Sequence, residues 1–66
     1  MTLFVNGKPV ELECAGTVAD LLRQFNLHHA ACAVEVNRRI VPKRLHAEQP
    51  LVEGDRVEIM TLVGGG

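Results

Sequence analysis

The chain has 66 residues, of which 47% are hydrophobic and 3% aromatic, and its formal net charge is −1. That length allows one small domain, whose folding buries only about 60% of the unfolded surface, so the core has to be efficient. The charge leaves no basic footprint for nucleic acid, and no stretch approaches about 18 consecutive apolar residues, so no membrane-spanning helix is expected.

Thr2 to Asn6 alternates, with Leu3 and Val5 on one face and Thr2 and Phe4 on the other, which predicts a short strand. Before it there is no basic start, and Asn6-Gly7 ends the apolar stretch, so no secretory leader is expected. Asn6-Gly7 is a strong hairpin signal, with Lys8-Pro9 extending the turn and Val10 to Glu13 returning as the second strand. Thr17 caps a helix, and Asp20 three residues on completes a variant capping box. Val18, Leu21, Leu22 and Phe25 fall at i, i+3, i+4 and i+7, one stripe facing a core, and Asn26 marks the exit.

Cys32 to Asn37 reads as a third strand, with Cys32, Val34 and Val36 inward. Asn37-Arg38-Arg39 turns, and Ile40-Val41 is a brief strand that Pro42 limits. Lys43 to Val52 is the least regular stretch, and Glu53-Gly54-Asp55 is a turn. Arg56 to Val63 is the last strand, with Val57 and Ile59 inward and Glu58, Met60 and Leu62 outward. A hairpin, a crossover helix and a second hairpin predict an α+β fold, a mixed sheet of four to five strands with one packed helix. Residues 1–63 form this domain, and Gly64, Gly65 and Gly66 form a flexible tail.

That tail is the most informative feature. Glycine has no Cβ, so a backbone built from it can approach another surface closely. Three extended residues carry the terminal carboxylate about 10 Å past the strand. Outward-facing Phe4, Met60 and Leu62 lie together if the first and last strands pair, and form a docking patch. Glu58 or Arg56 supplies steering charge at its rim.

Met-Thr-Leu-Phe-Val at the start, Gly-Thr-Val-x-Asp-Leu-Leu at the helix, Val-Glu-Val-Asn-Arg in the middle and Asp-x-Val-Glu-Ile-x-Thr-Leu-Val-Gly-Gly-Gly at the end resemble the ThiS family. These are the ubiquitin-like sulfur carriers of thiamine biosynthesis. The resemblance covers essentially the whole chain and implies a β-grasp fold and a cytoplasmic carrier, not an enzyme, monomeric when free. It implies that a ThiF-type adenylyltransferase, using ATP and Mg²⁺, activates the carboxylate of Gly66, with Gly64 and Gly65 threading the approach. Sulfur from a cysteine desulfurase or another donor then gives a thiocarboxylate, which supplies a ThiG-type thiazole synthase. The chain itself is expected to bind no cofactor. A small subunit of molybdopterin synthase, a protein-conjugating modifier and an inert-tailed interaction module are the alternatives.

Other chemistries are weaker. Cys14, His28, His29, Cys32 and His46 offer nitrogen and sulfur donors, but not at the spacings of zinc motifs. Two cysteines are too few for an iron–sulfur cluster held by four. They fit free thiols in a reducing compartment. His28-His29 has no nucleophile beside it and reads as a solvated loop.

Overall fold

The structure, a computed structural model, describes residues 1–13 and 16–62. Strand β1 (Thr2–Val5) turns directly into β2 (Lys8–Glu11), with Val5 opposite Lys8. Asn6 and Gly7 have φ values of 50° and 84°, the mirror-image turn whose twist suits the strands it joins. The turn is therefore tighter than expected, and Lys8-Pro9 belong to the strand instead of extending the loop. Proline is tolerated there because β2 is an edge strand with an open side, where a missing N–H costs no ladder bond.

Helix α1 (Val18–Gln24) begins as the capping residues dictate. The Asp20 N–H donates to Thr17 Oγ1 at 3.4 Å, and the Thr17 N–H donates to Asp20 Oδ2 at 2.9 Å. At its other end Asn26 takes φ of 61°, while the Asn26 N–H reaches Arg23 O at 2.9 Å and the Leu27 N–H reaches Leu22 O at 2.7 Å. That pair of bonds is a Schellman stop. Seven residues cannot hold a helix in water; burial of Val18, Leu21 and Leu22 against the sheet does so. Phe25, expected on the same stripe, sits at the C-cap and is 37% exposed, because the helix ends one residue before it and the chain reverses at Asn26.

Strands β3 (Cys32–Val36) and β4 (Arg39–Val41) form the second hairpin, through Asn37 and Arg38 at φ 50° and 70°. A single 3-10 turn (Lys43–Leu45) starts the long connection, and Gly54, at φ 85°, turns the chain into β5 (Arg56–Thr61). The sheet order is β2-β1-β5-β3-β4, with β1 and β5 parallel and the other pairs antiparallel. This is the mixed five-stranded sheet with one helix that the sequence predicts.

The connection is stitched to the start of α1 by three backbone bonds: Val18 N–H to Gln49 O, Ala19 N–H to His46 O and Leu51 N–H to Gly16 O. The His46 ring, largely buried, lies 3.0 Å through Nε2 from Val41 O. Leu3, Val5, Val34, Val36, Val41 and Val57 from the sheet meet the helix residues, Leu12 and Leu51 in one core. Among the described residues no helix covers the opposite face of the sheet.

Candidate functional site

Strand β5 is central in the sheet and leads towards the C-terminus, and two asparagines clasp it. Asn6, held in the left-handed region by the first turn, uses its side chain as a substitute strand. Its Oδ1 accepts from Ile59 N–H at 2.8 Å, and its Nδ2 donates to Ile59 O at 3.2 Å. Beyond Val57, where β1 has already turned away, these bonds satisfy backbone groups that would otherwise face an open edge. Asn37, in the other hairpin turn, does the same lower down. Arg56 N–H donates to its Oδ1 at 3.0 Å, and its Nδ2 donates to Asp55 Oδ1 at 2.9 Å. Pairing with β3 then holds the strand to its end, with Thr61 opposite Cys32 and Leu62 N–H donating to Ala31 O at 2.8 Å. Gly64, Gly65 and Gly66, the tail and reactive carboxylate of the sequence reading, lie outside the described residues, as does Cys14.

The bare face of the sheet presents Glu58, Met60 and Leu62 outward as expected, with Met60 65% exposed. Phe4 shares that face but does not join them, which corrects the expected patch. It stands opposite Arg56, and Met60 is four residues further along β5, about 13 Å at roughly 3.3 Å per residue. The parallel register of β1 and β5 sets this offset. Phe4 is half-buried, with the Arg56 guanidinium carbon 5.4 Å from its ring centroid, a cation–π contact.

Met60 instead stands directly opposite Ala33 on β3, while Ile40, 75% exposed, lies two strands away on β4 in the register row of Glu35 and Glu58. Ile40 and Met60 both line a depression of about 100 Å³, with Glu35 and Glu58 also in its lining. Sequence reasoning puts Glu35 and Ala33 outward on the third strand without giving them a role, and passes over Ile40. Alternation from the inward Val41 would have placed Ile40 on the same outer face.

Glu35 and Glu58 are direct cross-strand partners. Among the described residues the ion pairs lie elsewhere: the N-terminal amine with Glu11 at 3.9 Å and Arg23 with Asp20 at 3.3 Å. The carboxyl of Asp20 is held below its ordinary 3.8, chiefly by the Thr17 backbone N–H, against a smaller opposing effect of desolvation. Thr17 Oγ1 and Arg23 add to the lowering. The rings of His28 and His29 lie 4.1 Å apart between centroids, tilted by 48°, and Cys32 is half-buried against the core. Among the described residues no three His, Cys, Asp or Glu side chains are grouped to hold a metal ion, and no helix is long and apolar enough to cross a membrane.

The ThiS family model matches residues 3–66, from the first strand through the last glycine. The sulfur carrier protein ThiS of Bacillus subtilis is 38% identical over 65 residues, covering 97% of this chain and 98% of that protein. A thiazole synthase of Paramagnetospirillum magneticum is 36% identical over all of this chain, which spans only 20% of that much longer protein. The crystal structure of a thiamine biosynthesis protein, ThiS, from Geobacter metallireducens superposes with a TM-score of 0.82 at 32% identity, covering 100% of both chains. The chain belongs to the ThiS family, the ubiquitin-like sulfur carriers of thiamine biosynthesis.

Proposed function

We propose that the carboxylate of Gly66 is the sulfur-bearing group and that β5 delivers it to two partner enzymes in turn. The observation that carries this reading is the family match, which extends to Gly66. An adenylating enzyme of the ThiF type joins the carboxylate to AMP at the expense of ATP, with Mg²⁺, and pyrophosphate leaves. A carboxylate is a poor electrophile, and AMP gives it a leaving group; sulfur is a strong nucleophile for the displacement. A persulfide from a cysteine desulfurase attacks the carbonyl and expels AMP. Cleavage of the resulting acyl disulfide by a second thiol leaves the thiocarboxylate.

Thiazole synthase is the acceptor that the relatives favour, since thiazole synthases of Paramagnetospirillum magneticum and Magnetococcus marinus contain a region like this chain. Glycine at positions 64 and 65 leaves the approach free of side chains, which suits a narrow channel. The exposed Met60 and Leu62, joined by Ile40, supply apolar contact on the same face as Glu58, while Phe4 with Arg56 forms a separate contact at the far end. The reactions are cytoplasmic, and the chain itself holds neither nucleotide nor metal.

Extending the chain by one alanine after Gly66 tests the reading. The extended protein is expected to keep its circular dichroism spectrum and melting temperature while losing adenylation-dependent pyrophosphate exchange. Exchange at the unextended rate would overturn it.

A further inference from the structure

Strand β5 leaves the sheet with unequal support on its two sides. On one side β3 accompanies it throughout, from Val36 opposite Val57 to Cys32 opposite Thr61, and the Leu62 N–H then donates to Ala31 O at 2.8 Å. On the other side β1 stops at Val5 opposite Val57, and the Asn6 N–H closes that ladder on Val57 O at 2.9 Å. The backbone groups of Arg56 and Leu62 point towards β3, and those of Val57 and Ile59 point away from it, as alternation requires. Past Val57, among the described residues, only the Asn6 amide bonds to this second side, through its two bonds to Ile59. A strand paired on one side alone twists more strongly than one held on both.

We infer that Asn6 is a positioning residue for sulfur loading: its amide fixes the course on which Ile59 to Leu62 leave the sheet, and so the way the chain enters the adenylating enzyme. The inference rests on the carrier reading. Two observations separate this role from one in the fold alone. Asn6 is exposed, and it grips β5 beyond Val57, the last fully buried residue of that strand. Asn37, by contrast, grips the start of β5 and bonds the buried Asp55. The segment that Asn6 holds also carries the exposed Met60 and Leu62, and Leu62 stands four positions before Gly66. An enzyme that takes the terminal carboxylate has to take this segment with it. With the clasp in place one course is populated before binding. Without it, the enzyme draws on the fraction of chains that hold that course, and apparent affinity falls by the same fraction. The attack of the carboxylate on ATP takes place at Gly66, away from Asn6, so the effect falls on KM and not on kcat.

The test uses the full chain with Asn6→Gly, which keeps the left-handed backbone of the turn and the N–H to Val57 while removing the amide. In pyrophosphate exchange with the adenylating enzyme of the same organism, KM for this variant is expected to rise about three- to tenfold, with kcat within about twofold of the unaltered chain. Asn6→Asp, which keeps the acceptor for the Ile59 N–H, is expected to fall between the two. Thr17→Ala weakens the helix cap and removes no bond to β5, so it serves as the stability control and is expected to leave KM unchanged. Backbone order parameters from ¹⁵N relaxation are expected to fall at residues 59–62 of Asn6→Gly and to hold in β1 and β3. An unchanged KM in folded Asn6→Gly would overturn the inference, as would an equal rise in Thr17→Ala. Unchanged order parameters at 59–62, a measurement that needs no enzyme, would overturn it independently. Absence of exchange with the unaltered chain would count against the carrier reading instead, and the relaxation measurement would still decide whether Asn6 fixes the strand end.

Discussion

Asn6 does two things that few residues combine. It accepts φ of 50° in the first turn, and its amide supplies both an acceptor and a donor to Ile59. Aspartate tolerates the same backbone conformation and keeps the acceptor, but it sets a carboxylate oxygen against the Ile59 carbonyl. Asn6→Asp is therefore expected to cost about 1 kcal/mol and to speed amide exchange at Ile59 ahead of the rest of the sheet. Uniform exchange rates along β5 would show that the clasp adds nothing. Asp20 gives a second test at this scale. Its folded pKa lies below the unfolded value, so the stabilisation is present in full above that ordinary value of 3.8 and is lost as pH falls through the depressed one. Acid denaturation followed by circular dichroism is expected to lose this contribution only below about pH 4.

At the scale of the element, the helix start depends on a neighbour that makes no hydrogen bond to the cap itself. A Cβ on Gly16 would collide with Asp20 Oδ2, so any side chain there displaces the carboxylate from Thr17. Gly16→Ala is expected to lower the melting temperature by weakening the capping box and to abolish the acid-range dependence just described. If that dependence persists, Asp20 does not act through the box. The hairpin turns, the box and the Asn26 exit were all legible because each depends on two to four adjacent residues. Pro9 was misassigned because only the sheet order shows that β2 is an edge. Phe25 was misassigned because heptad-like spacing does not say where a helix stops. The patch was half legible: alternation gives the face of each residue, whereas the parallel register that separates Phe4 from Met60 joins segments some fifty residues apart and has no local signature.

The whole molecule divides its labour between the two faces of one sheet. One face is covered by α1 and makes the core, and the other, among the described residues, carries no helix beside the strand that leads to the C-terminus. Because Met60 is 65% exposed, Met60→Ser is expected to leave the melting temperature within a few degrees while weakening capture by the adenylating enzyme, read as a raised KM in pyrophosphate exchange. An unchanged KM would move the docking surface elsewhere. The central claim, that sulfur is carried on Gly66, is tested most directly by the intact mass of the chain after incubation with adenylating enzyme, ATP, Mg²⁺ and a sulfur donor. The expected result is replacement of one oxygen by sulfur, localised by fragmentation to the terminal glycine. An unchanged mass, with the same enzyme shown to be active on another carrier, would contradict it.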